Sequence, residues 1–203
     1  MNQTFEYNED VVRLCTRIRT SIPESHKTIL LTGVSERDPV EQIAYEIART
    51  LVLLGDGPVL LVDANFTGDL KTTGTSQDET DFGLLDVLRQ DTPLSDAVVS
   101  NDLPGLFYLS SGSTDDDFHA LLLSEQCGEL LKEMRQDYAY VIIESASIMA
   151  HSECLRLAGR VDGVAVVVEA GKHQQSELAE LKQMMEAFQL PMLGIIFSST
   201  HRK

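Results

Sequence analysis

Six short apolar runs, largely β-branched, recur along the chain with stretches of helical periodicity between them. They are Thr28-Ile-Leu-Leu-Thr32, Pro58-Val-Leu-Leu-Val-Asp63, Leu106-Phe-Tyr-Leu-Ser110, Tyr140-Val-Ile-Ile-Glu144, Val164-Ala-Val-Val-Val-Glu169 and Met192-Leu-Gly-Ile-Ile-Phe197. Several are apolar throughout, as expected of parallel strands covered on both faces. Between them, residues 40–54 place Val40, Ile43, Ala44, Ile47, Ala48 and Leu51 on one helical stripe. Residues 120–134 read as one helix with Leu122, Leu123, Leu130, Leu131 and Met134 inward. Residues 176–189 read as another, with Leu178, Leu181, Met185 and Phe188 inward. A leading amphipathic helix over residues 10–22 puts Val11, Leu14, Cys15, Ile18 and Ile22 on one face and Arg13 and Arg17 on another. The alternation predicts an α/β fold: a doubly wound, mostly parallel sheet with helices on both faces. One domain spans residues 1–203, with 1–27 as helix and lead-in and 28–203 as the core.

Charge narrows the function. The chain carries 32 Asp+Glu against 16 Lys+Arg, a net charge of −16. This argues against nucleic-acid binding, which needs a basic footprint, and against adsorption to anionic lipid. No apolar run reaches the length of a membrane span, and the first residues show no signal peptide, so a cytoplasmic location is expected. Cys15, Cys127 and Cys154 are odd in number and lack C-x-x-C spacing, which argues against a disulfide scaffold or zinc site. His26, His119, His151, His173 and His201 show no paired spacing and read as surface groups or caps. Two polar stretches read as loops: residues 67–81 and residues 110–117, the latter with three consecutive aspartates.

In open α/β sheets ligands bind at the carboxyl ends of the strands, and the first strand-to-helix turn is the usual phosphate seat. Here that turn is Thr32-Gly-Val-Ser-Glu-Arg-Asp-Pro-Val-Glu41. It has about the length of a Walker A loop without its G-x-x-x-x-G-K-[ST] content. Asp38, Pro39 and Glu41 instead read as N-cap, N1 and N3 of the next helix, a capping-box variant. The Asp38 carboxylate would then take N–H groups that a phosphate needs.

The order of motifs resembles the bacterial tyrosine kinases of capsule and exopolysaccharide synthesis, the CpsD/CapB-like branch of the MinD/ParA-type P-loop ATPases. Val59-Leu-Leu-Val-Asp-Ala-Asn65 resembles the second Walker motif, and Tyr138-Ala-Tyr-Val-Ile-Ile-Glu-Ser145 stands where Walker B would be. Gly83-Leu-Leu-Asp-Val-Leu88, Leu121-Leu-Leu-Ser-Glu125, Val161-Asp-Gly163 and Leu193-Gly-Ile-Ile-Phe-Ser198 follow in family order. The departures fall on the catalytic positions. In the loop that opens at Gly33, Arg37 replaces a glycine and Pro39 stands at the second Walker glycine. Val40 stands at the lysine and Glu41 at the magnesium-binding hydroxyl. Asp63 is kept, Asn65 replaces an Asp, Glu144 replaces the Walker B Asp, and Ser198 replaces an adenine-contacting Asn. The tail lacks clustered tyrosines, and Arg13, Thr16 and Arg19 break the E-x-x-R-x-x-R oligomerisation motif.

The resemblance, with these departures, implies an inactive pseudokinase with regulatory or scaffolding work in exopolysaccharide synthesis and export. No catalytic residue, nucleotide or metal is expected; Asp63 and Glu144 read as vestigial strand-end carboxylates that cap the following turns. The implied partners are the cytoplasmic end of a membrane polysaccharide co-polymerase, which would recruit the chain to the inner face of the plasma membrane, or an active kinase homologue. Residues 67–81 would be the docking segment; self-association stays open. One alternative is an active ATP-dependent autokinase, with magnesium on Asp63, Glu144 and Glu153 and with Arg37 replacing the lysine charge. Another is a MinD/ParA-like pseudo-ATPase that positions cellular cargo.

Overall fold

The computed structural model describes residues 9–21, 27–66, 82–112 and 118–198. Helix α1 (Glu9–Ser21) leads into β1 (Thr28–Gly33), α2 (Val40–Leu53) and β2 (Val59–Ala64). Two short helices, α3 (Leu84–Leu88) and α4 (Leu94–Ala97), precede β3 (Val99–Ser100) and β4 (Leu106–Leu109). Helices α5 (Phe118–Leu123) and α6 (Glu125–Asp137) lead to β5 (Tyr140–Ser145) and α7 (Ser152–Ala158). Strand β6 (Gly163–Glu169), α8 (Gln175–Ala187) and β7 (Met192–Ser198) follow. The seven strands lie in the order β3-β4-β2-β5-β1-β6-β7. Every pairing is parallel except that of β3 with β4.

Alternate strand residues feed two cores. Ile29 and Leu31 face a layer built with α1 and α2, through Val11, Cys15 and Ile18 and through Ile43, Ile47 and Leu51. Leu30 and Val62 face the other layer, which α3 to α8 cover through residues such as Leu85, Leu122, Leu131, Leu157 and Leu181. Burial on both faces is why these strands read as continuous apolar runs. All three cysteines are buried and free. Burial pushes the Cys15 and Cys154 thiols up to about 12, so they act as small apolar groups.

Three expectations need correction. The stretch 120–134 is two helices, broken at Ser124. Its hydroxyl accepts the Cys127 N–H at 3.4 Å and donates to the Leu121 carbonyl at 2.6 Å. Arg160 then takes the Leu123 and Ser124 carbonyls at 2.7 Å each, so a guanidinium closes the end of α5. Leu123 sits at that end and is 39% exposed, and Phe188, one residue past α8, is 58% exposed. Neither is a core residue. A seventh strand, β3, goes unread because two residues carry no periodicity. Ser124→Ala should cost about 1 kcal/mol, the usual worth of a side-chain cap, in urea denaturation; a loss below roughly 0.3 kcal/mol would place the break elsewhere, since caps rarely contribute so little.

The loops at 67–81 and 113–117, His26, His201 and Ile22 lie outside the described residues. The Arg19 of the broken oligomerisation motif is engaged within the chain. Its guanidinium meets the Asp56 carboxylate at 2.6 Å, and Tyr140 Oη donates to the same carboxylate at 3.3 Å.

Candidate functional site

The carboxyl ends of β1, β2, β5 and β6 converge as the doubly wound topology requires. In register, Asp63 of β2 stands beside Glu144 of β5, and Gly33 of β1 beside Val167 of β6. The β1–α2 loop, residues 34–39, lies over this end and is tied down on two sides.

On one side stands Asp38. Its carboxylate is buried and accepts the Ser35 N–H at 2.8 Å with one oxygen. The other oxygen accepts the Glu169 N–H at 2.7 Å and contacts His173 Nε2 at 2.8 Å. Burial works to raise this carboxyl, yet the bonds from Glu169, Ser35 and His173 outweigh it and hold Asp38 below its ordinary value. The His173 side chain is itself buried, with Nδ1 3.5 Å from the Glu177 carboxylate. The loop folds tightly around the group: a side chain at Gly33 would meet the Ser35 carbonyl at 2.7 Å and Asp38 Oδ2 at 3.2 Å.

The capping expectation is therefore corrected. Helix α2 begins at Val40 with Pro39 as N-cap, at φ −79° and ψ 59°, and receives no side-chain cap bond. Asp38 does hold one loop N–H, that of Ser35, but the strand-end amide and the imidazole draw it across to β6. Glu41, in the first turn of α2, is the acidic residue left to complement the helix dipole.

On the other side, Glu36 accepts the Ser147 N–H at 3.0 Å and lies 3.1 Å from His151 Nε2. Ser147 Oγ donates to the Val34 carbonyl at 2.7 Å, and the Ile148 N–H reaches the Gly33 carbonyl at 3.2 Å. Arg37 is exposed at the loop tip.

Asp63 caps its own turn by accepting the Asn65 N–H at 2.8 Å. Burial pushes its carboxyl up to about 6, and the charge of Glu41 acts in the same direction. Bonds with Asn65, Ser111 and Glu144 oppose the rise. Glu144 is buried beside Asp63. Two such acids in hydrogen-bond contact share a proton only once the pH falls to about 6 or below. Glu153 does not join them; it lies between His151 Nδ1 and His119 Nδ1, each at 3.4 Å. Among the described residues no group of three His, Cys, Asp or Glu side chains could hold a metal ion. Ser198 ends β7, and its carbonyl accepts the Ala170 N–H at 2.9 Å.

Sequence reasoning missed His173, Glu169, Glu36 and Ser147. The His173 side chain is buried against Asp38, not a surface group or cap. The one signal for it was position: it follows the strand whose end faces the first loop.

Taken together, the strand order and the place of the loop give the doubly wound α/β fold seen in P-loop NTPases and bacterial tyrosine-kinase domains. No family model matches the chain. The sequence is similar to those of bacterial tyrosine-protein kinases. Tyrosine-protein kinase CpsD of Streptococcus agalactiae is 26% identical over 192 residues, covering 91% of this chain and 81% of that protein. The chimerical protein CapA2B2 superposes with a TM-score of 0.85 at 18% identity, over 96% of this chain and 85% of that one. The kinase domain of Escherichia coli tyrosine kinase ETK gives a TM-score of 0.81 at 17% identity, over 91% and 72%. Among the described residues no helix is long and apolar enough to cross a membrane.

Proposed function

We propose that this chain is a pseudokinase: a tyrosine-kinase fold that has left nucleotide chemistry and acts as a regulatory or scaffolding subunit of bacterial exopolysaccharide synthesis. The observation that carries the reading is the Asp38 carboxylate, which holds the Ser35 N–H inside the phosphate-loop equivalent and is itself held by Glu169 and His173. Position argues the same way. Val40 stands at the family's lysine, while Glu36, Asp38 and Glu41 place carboxylates around the same turn. One unit charge at about 6 Å and an effective dielectric of about 20 is worth roughly 3 kcal/mol. Two such repulsions, halved by solvent, would still weaken a polyphosphate about 100-fold.

The partner in this reading is the cytoplasmic end of a membrane polysaccharide co-polymerase or an active kinase homologue. Calorimetry with ATP and magnesium should give no saturable heat up to about 1 mM, a regime equivalent to less than roughly 4 kcal/mol of binding. Saturable micromolar binding would overturn the proposal and favour the autokinase, with Arg37 as the replacing cation.

A further inference from the structure

Both sides of the β1–α2 loop are held in the same way, by an imidazole set between a loop carboxylate and a helix carboxylate. His151 has Nε2 3.1 Å from Glu36 and Nδ1 3.4 Å from Glu153. His173 has Nε2 2.8 Å from Asp38 and Nδ1 3.5 Å from Glu177. Only a protonated ring carries an N–H on each nitrogen and donates to both carboxylates at once. A neutral ring has a single N–H and must give one carboxylate up. Burial decides which, because water replaces the donor at an exposed acid and cannot do so at a buried one. At His173 the buried acid belongs to the loop: the Asp38 side chain is 0% exposed and that of Glu177 48%. At His151 the buried acid belongs to α7: the Glu153 side chain is 7% exposed and that of Glu36, on the loop, 45%. The two sides therefore respond to proton loss in opposite senses.

We propose that His151 is a proton-operated latch on the tip of this loop. Protonated, it joins Glu36 to Glu153 and closes the tip over the carboxyl ends of the strands. Neutral, it stays with Glu153 and lets Glu36 go, while Asp38 remains fixed to His173. The base of the loop, at Gly33 and Val34, keeps its bonds to Ile148 and Ser147 in both states. The charged and titratable groups that face His151 are Glu36 from the loop and Glu153 from α7. Beyond Glu153 stands His119 of α5, exposed and 3.4 Å from the other carboxylate oxygen. The Cys154 thiol feels both acids but is pushed up to about 12, chiefly by burial, and stays neutral. Histidine is the side chain whose charge ordinarily changes between about pH 5 and about pH 8, which is the window of the latch. The device concerns only how the loop is held, and stands apart from the pseudokinase reading.

Amide hydrogen exchange on the full chain from about pH 5 to about pH 8, read as protection factors after correction for the intrinsic rate, tests this. The Ser147 N–H, which donates to Glu36 at 3.0 Å, should lose protection about tenfold as the pH rises, the worth of one bond to a charged group. The Ser35 and Glu169 N–H groups, both on Asp38, should keep theirs. In His151→Gln, whose side chain does not titrate, the Ser147 profile should be flat. Nitrogen spectra of the unaltered chain should show both His151 ring nitrogens protonated at about pH 5 and one of them at about pH 8. If the glutamine disturbs the fold, these spectra and the wild-type profile decide. A level Ser147 profile in the wild type, or a fall shared by Ser35 and Glu169, would overturn the proposal. So would a fall that persists in His151→Gln, or a ring whose protonation is the same at both ends of the window.

Discussion

Asp38→Ala is expected to lower the unfolding free energy at pH 7 by roughly 3 kcal/mol, the cost of orphaning several buried partners of one charge. The substitution leaves the Ser35 and Glu169 N–H groups and the His173 ring without their acceptor, all in a half-buried corner. Asp38→Asn keeps one acceptor oxygen and should cost about half as much, since bonds to a charged acceptor are roughly twice as strong as neutral ones. The pH dependence has a fixed sign. Asp38 is held below its ordinary value of 3.8, so its contribution is fully present above that value and is lost as the pH falls through the lower, folded one. The wild-type and alanine stabilities should therefore converge in strong acid. Urea denaturation across this range is the measurement; a difference at pH 7 of under about 0.5 kcal/mol, the level of an ordinary surface change, would mean that the carboxylate does not hold the loop.

The second large effect runs the other way. Asp63→Asn should stabilise the protein by about 2 kcal/mol at pH 8, because burial pushes that carboxyl up from 3.8 to about 6 and ionising it in the folded state is unfavourable. For an acid with a raised folded value, stability declines as pH climbs from 3.8 to about 6 and then stays at the lower level. The asparagine variant lacks that decline. The gap between the two proteins should open across this window, level off above it and close near pH 4, the ordinary range of a free carboxyl. A variant less stable than wild type at pH 8 would contradict the burial penalty on Asp63. If magnesium stabilised wild type but not the variant, Asp63 and Glu144 would be holding a cation after all.

Much of the architecture was legible because parallel strands buried on both faces leave uninterrupted apolar runs, and because α2 and α8 present stripes of the right period. The break at Ser124 was not. Serine is a tolerable helix residue, and what stops the helix is Arg160, 36 residues further on, taking the carbonyls at the end of α5. The site divides in the same way. The content of the loop marked Asp38 as a carboxylate that accepts a loop N–H, since its neighbours along the chain were all in view. Its bonding partners were not in view: Glu169 and His173 lie 131 and 135 residues away, and only the right-handed crossovers bring them to the loop. A local rule therefore assigned the carboxylate to the nearest helix, while the folded chain offered it a stronger pair of donors.

The tie from Asp38 to Glu169 and His173 also bears on how such a molecule would be governed in a cell. A competitor built into the chain is present at an effective concentration that linkage alone sets in the millimolar range, and it never dissociates, is never hydrolysed and never exchanges. Swings in the ratio of ATP to ADP would pass it by. In the pseudokinase reading proposed above, its influence on any assembly would then follow from dosage, from how many copies are synthesised and how quickly they are degraded, and no longer from the supply of nucleotide.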